Sequence, residues 1–142
     1  MPSEAEWEKA ARGADGRIWP WPGAWQEGRA NSKEAGLEQT SPVGLFPDGR
    51  SAHGLLDMAG NVWEWTRSKW GRRIRRPDYG YPYDPEDGRE NLDGPDLRVM
   101  RGGSWYDEQM FARCAYRDRD IPDDFDYDRG FRVVVSLANS GF

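Results

Sequence analysis

Thiol and imidazole are almost missing from this chain: 142 residues contain one cysteine and one histidine. Cys114 alone excludes an intrachain disulfide and favours a reducing compartment. His53 alone excludes a multi-histidine metal centre within the chain, two-His iron sites included, and argues against zinc. No apolar run reaches the roughly 18 residues that a membrane span requires, so no membrane association is expected. Residues 1–7 lack the apolar stretch of a secretory leader, and the expected location is cytoplasmic. An excess of positive charge is lacking too. The net charge of −5 counts against nucleic acid as a partner.

Aromatics stand in for the scarce aliphatics. Eight Trp, six Tyr and five Phe accompany a mean hydropathy of −0.97. Each aromatic buries a large area, so a core is still attainable. Seventeen Gly and ten Pro indicate turns and loops rather than a helical bundle. Ser3 and Glu6 have the spacing of a capping box, which predicts a helix over 4–12 that ends at Gly13. Trp7, Ala10 and Ala11 would form its apolar face. Residues 14–54 read as loop. Within them Pro20 and Pro22 break up a tryptophan-rich plug (Trp19, Trp21, Trp25) that should pack on the core.

Strands are expected over 62–66, 97–101 and 130–136, the last an apolar run buried on both faces. Residues 106–129 alternate aromatic and charged side chains with neither helical nor strand period. The basic tract 69–76 and the acidic tract 78–96 should lie together as one excursion. That excursion reads as solvated surface, with a phosphate-binding patch as the alternative.

The most informative stretch is GNVWEWT, residues 60–66. On a strand Trp63 and Trp65 share one face and Glu64 points the other way. Gly60 and Asn61 supply turn chemistry before it. An acid placed there is either a hydrogen-bonded structural carboxylate or a ligand for a hard cation.

Four segments in order, PSEAEWEKAARG (2–13), GLLDMAGNVWEWT (54–66), RVMRGGSW (98–105) and GFRVV (130–134), resemble the formylglycine-generating enzyme, or sulfatase-modifying factor, family. The resemblance implies an irregular C-type-lectin-like α+β fold. It also implies that residues 1–142 are the C-terminal portion of one such domain, either an excised piece or one completed by a second chain. Members oxidise a sulfatase cysteine using two copper-binding cysteines placed two and seven residues after the aromatic of the Arg-Gly-Gly-Ser-aromatic motif. Here those positions hold Asp107 and Ala112, and neither offers copper(I) a thiolate. The iron-binding sister branch, resembling ergothioneine-type sulfoxide synthases, takes its histidines from a separate domain. The expectation is therefore a chain without intrinsic redox catalysis, and copper is not expected as its cofactor. The family is also similar in binding calcium. That implies the carbonyls of Gly60 and Val62 with the side chains of Asn61 and Glu64 at one site, and Asn31 with Glu34 at a second.

In the lectin-like branch the stretch before Gly-Phe-Arg-Val-Val faces ligand. That resemblance makes Tyr106, Asp107, Phe111, Tyr116, Arg117, Asp118, Arg119, Phe125 and Tyr127 the candidate ligand-binding residues. Aromatic, acidic and Arg side chains on a rigid scaffold suit recognition of a protein, a peptide or a small molecule. The alternative is an irregular loop whose Arg–Asp pairs are structural, as Arg101, Arg113, Arg117 and Arg132 would then be. Two readings compete for the whole chain. One is a calcium-stabilised, non-catalytic binding module. The other is a formylglycine-generating oxidoreductase or a fragment of one. Variable proteins of diversity-generating retroelements also look similar.

Overall fold

The computed structural model describes residues 1–135. Helix α1 (Glu4–Arg12) forms where the capping box predicts it. The Ser3 hydroxyl accepts from the Glu6 amide, and the Glu6 carboxylate accepts from the Ser3 amide at 2.7 Å. Gly13 ends the helix with φ +67°, its amide donating to the Lys9 carbonyl. Trp7 and Ala11 are buried against Met58 and Cys114, while the helix is tied to the sheet by the Glu4 amide donating to Ser68 Oγ.

The sheet has the order β3-β2-β1-β4. β1 (Trp63–Gly71) runs antiparallel to β2 (Leu97–Arg101), and β2 antiparallel to β3 (Asp118–Asp120). β4 (Arg129–Phe131) lies parallel to the start of β1, with Glu64 opposite Gly130. Glu64 is also opposite Arg101 across the other ladder. The first residues of β1 are thus the centre of the sheet, paired on both sides.

The tryptophan plug packs as expected. Trp19, Trp21 and Trp25 touch one another and cover Ala30, Ala59 and Ala112. The two opposite-sign tracts do fold onto each other, with Lys69 on Asp96 at 3.1 Å and Arg73 on Asp78. Two expectations fail. The stretch 106–129 contains strand β3, which no apolar alternation announces because its residues are Asp118, Arg119 and Asp120. The last strand is three residues long and is not buried on both faces: Val133 is 74% exposed and Val135 81%. Among the described residues nothing packs over them; Ser136 lies outside the described residues. No helix among the described residues is long and apolar enough to cross a membrane.

Candidate functional site

The turn before β1 is held by backbone. Gly60 donates to the Gly102 carbonyl and Asn61 to the Asn31 carbonyl, at 2.8 and 2.7 Å. Trp105 in turn donates to the Asn61 carbonyl at 3.0 Å. Three chain segments therefore meet here: 31–39, 60–64 and 102–107. Asn31, Gly60, Asn61, Val62 and Glu64 are brought together, but the side-chain oxygens of Asn61 and Glu64 are already engaged. Asn61 Oδ1 accepts from Asn31 Nδ2, Ser41 N and Ser41 Oγ. Glu64 accepts from the Trp7 indole at 2.6 Å and from Arg132 through both oxygens, at 2.5 and 2.6 Å.

The same Arg132 guanidinium donates to the carbonyls of Leu56 and Asp57. It stands, as the local cation, in the corner lined by Gly60, Val62 and Glu64. Glu34 is elsewhere. Its carboxylate accepts from Ser32 Oγ and the Gln109 amide, and these bonds outweigh burial, so the group is held below the usual glutamate range. Of the side-chain oxygens in the expected set, Asn31 Oδ1 is the one buried without a partner. Calcium asks for six to eight oxygens, most of them unencumbered. In this arrangement the expected set does not fit calcium, because a guanidinium fills the role the cation would have. Of the readings of Glu64, the hydrogen-bonded structural carboxylate describes these contacts. Bound ligand must raise the stability of the native state. We therefore expect the same melting temperature in excess calcium and in chelator, and a calcium-dependent rise would show that Glu64 exchanges Arg132 for metal.

The nine candidate ligand residues divide. Tyr106 and Tyr127 are 60% and 65% exposed and meet at 6.5 Å between ring centroids. Trp105 contacts both, at 5.7 Å each. Phe111 and Tyr116 form a second pair at 5.1 Å, with Trp63 behind Tyr116. Phe125 stands out in solvent. Arg117 is drawn inward: it forks onto Glu4 and lies over the rings of Trp70 and Tyr81. Arg119 pairs with Asp118 and the Ile74 carbonyl. Both arginines act as structural clamps, because each finds a carboxylate and carbonyls in a fixed fork geometry.

Asp107 holds the position that a copper-binding cysteine takes in the resembling family. Its Oδ2 accepts from Trp63 Nε1 at 2.8 Å and Ser104 Oγ at 2.6 Å. Ala112 is buried against the Gly103 backbone. Cys114 is fully buried, and burial pushes its thiol up to about 12. At neutral pH it is a protonated, packed side chain rather than a nucleophile or thiolate ligand.

Sequence reasoning missed the cavity beside this point. A space of about 390 Å³ is lined by Lys33, Gly36, Glu38, Trp105 and Tyr106. Its lip is unusual, since Glu38 has φ +54°. The 31–39 loop is fixed against the 104–109 segment by Lys33 N on the Asp107 carbonyl and by Gln109 N on Glu34. Trp105 was legible only as part of a motif, and no local pattern joins it to a loop seventy residues earlier.

Known proteins resemble this chain over nearly its full length. The family described as "Sulfatase-modifying factor enzyme 1-like domain" matches residues 1–137. The mouse protein named "Inactive C-alpha-formylglycine-generating enzyme 2" is 35% identical over 97% of this chain and 43% of its own length. The mouse "Formylglycine-generating enzyme" is 32% identical over 95% of this chain and 38% of its own. The chain thus spans less than half of these relatives. Among solved structures, Treponema denticola variable protein 1 superposes with a TM-score of 0.69 at 30% identity, covering 92% of this chain and 45% of that one.

Proposed function

This chain belongs to the sulfatase-modifying factor family, with its irregular α+β, C-type-lectin-like fold, and on that premise we propose that it is a non-catalytic ligand-binding module. Its recognition surface lies within residues 106–129 and is reached through the open aromatic face at Tyr106 and Tyr127. Family membership alone does not choose between catalysis and binding, because relatives named as enzyme and as inactive both match.

The observation that carries the reading is the state of the would-be redox position. Asp107 is a carboxylate fixed by Trp63 and Ser104, Ala112 is a buried methyl, and the chain's single cysteine is a buried thiol. Cysteine oxidation by this family's route needs thiolates that hold a soft metal. A carboxylate already accepting three hydrogen bonds is a poor substitute. What remains at the surface is area suited to binding: rigid rings with few rotatable bonds, set on a loop clamped at both ends.

Two measurements test the proposal together. Copper(I) titration with an oxygen-dependent assay on a cysteine peptide should give neither stoichiometric binding nor turnover. A displayed peptide library should yield clones that bind the chain and are lost with the Tyr106→Ala/Tyr127→Ala double variant. Turnover with bound copper would overturn the reading. So would a set of binders indifferent to both tyrosines.

A further inference from the structure

The structure points to the chemistry of the ligand. We infer that the face formed by Trp105, Tyr106 and Tyr127 seats a weakly hydrated organic cation, such as a quaternary ammonium group. This rests on the proposed recognition surface and names what that surface takes.

Several rings elsewhere in this protein carry one of its own guanidinium groups over a face. Arg101 lies over Trp7, Arg117 over Trp70 and Tyr81, Arg89 over Tyr79 and Tyr83, and Arg113 over Tyr116. Among the described residues no such cation lies over Trp105, Tyr106 or Tyr127. The arginines of the same segment are directed away: Arg117 onto Glu4, Arg119 onto Asp118, and Arg129 onto Asp120 and Asp124. These three rings are left without a cation of the chain's own, and an aromatic face attracts a cation through its quadrupole.

Charge around the rings has the matching sign. Asp128 is half-buried beside them; burial first, then Asp126 and Asp107, pushes its carboxyl above the usual aspartate range. The Tyr127 phenol is likewise pushed up, by desolvation and then by Asp126, Tyr106, Asp128 and Asp107. Desolvation comes first in both, and the nearby carboxylates of Asp126 and Asp107 add to it, so negative charge lies close to the rings. Glu38 adds a carboxylate at the lip of the adjoining cavity. Lys33, on the same lip, is partnered by Glu108 at 3.6 Å. The rings pack edge to face rather than leaving a gap between them, so the cation rests on their outer surface and against the cavity, not inside a closed cage.

The test compares choline with its neutral carbon isostere, in which a tert-butyl group replaces trimethylammonium, by tryptophan fluorescence at constant ionic strength. A peptide carrying trimethyl-lysine is compared in the same way with its neutral acetyl-lysine counterpart. Each cation should bind about tenfold or more tighter than its neutral partner. Peptide binding far above choline would place the cation on a polypeptide, and equal binding would place it on a free small molecule. Tyr106→Leu, Tyr127→Leu and Asp128→Asn should each remove the preference. The two tyrosines are largely exposed, so their variants should fold, as circular dichroism will show. Equal binding of cation and neutral isostere overturns the inference. If neither cation binds while library clones still depend on Tyr106 and Tyr127, the cation assignment fails and the recognition surface stands. If the clones are absent as well, both fail.

Discussion

Arg101→Ala should lower the unfolding free energy by about 3–5 kcal/mol, the usual penalty for stripping one partner from a buried ion pair. Arg101 has no exposed side-chain surface. Its guanidinium donates to Glu8 and to the Tyr116 carbonyl, approaches Glu4 at 3.7 Å, and lies over the Trp7 ring at 5.4 Å. Removal leaves the buried carboxylate of Glu4 and the half-buried one of Glu8 without this partner. Partial compensation exists, since Arg117 still forks onto Glu4 and Arg12 still reaches Glu8. This places the loss toward the lower end of the range.

Arg101→Met separates charge from volume. If the cost were packing alone, methionine would restore most of the stability. If it is electrostatic, methionine should be nearly as damaging as alanine, and Glu8→Gln in the same chain should recover part of it. Urea midpoints decide, because slopes report whether the unfolded state has changed. The acid limb gives a second readout. Burial raises the Glu8 carboxyl, but Arg101, the Tyr81 hydroxyl and Arg12 together outweigh it, and the net shift is downward. A depressed folded value contributes stability above the unfolded carboxyl value that is lost as pH falls through the folded one. Without Arg101 that acid-side loss should become shallower.

Local rules were most legible where a short span of residues settles the outcome. Ser3, Glu6 and Gly13 define α1 because capping depends on contacts within a few residues. Leu97–Arg101 matches its strand because it is covered on both sides, so its apolar residues are a faithful record. Arg132 and Arg117 acted as the clamps that loop-rich folds require. What failed depends on distant partners. The apolar run within 130–136 predicts two covered faces, whereas no described segment covers Val133, Val134 or Val135. Glu64 reads equally as metal ligand or hydrogen-bonded carboxylate in the sequence because its partners, Trp7 and Arg132, are 57 and 68 residues away. Strand β3 was invisible since ion pairs, not apolar alternation, mark it: Arg119 binds Asp118 and Arg129 binds Asp120. The aromatic site was half visible. Tyr106 and Tyr127 were named, but their grouping with Trp105 follows only once the chain returns on itself at β4.

Gly60→Ala should cost about 3–5 kcal/mol from backbone strain and overpacking combined. Gly60 has φ +73°, and an added Cβ would sit 2.1 Å from the Asn31 carbonyl oxygen and 2.8 Å from its carbon. Those are backbone atoms, and the same carbonyl accepts the Asn61 amide at 2.7 Å, so it cannot swing aside without breaking that bond. Gly36→Ala is the control. Its φ is +68°, but nothing lies within 4 Å of the added carbon, so only the left-handed backbone penalty of about 1–2 kcal/mol applies. The gap between the two variants measures the close approach itself. It also tests how the site is built. Asn31 bridges Gly60 and donates through Nδ2 to the Gln39 carbonyl, which closes the 31–39 loop. Pushing Asn31 away should raise amide exchange across 31–39 and at the Trp105 amide before the α1 amides respond. Uniform acceleration along the whole chain would instead mean that the turn and the loop have no local unit of their own and unfold only with the sheet.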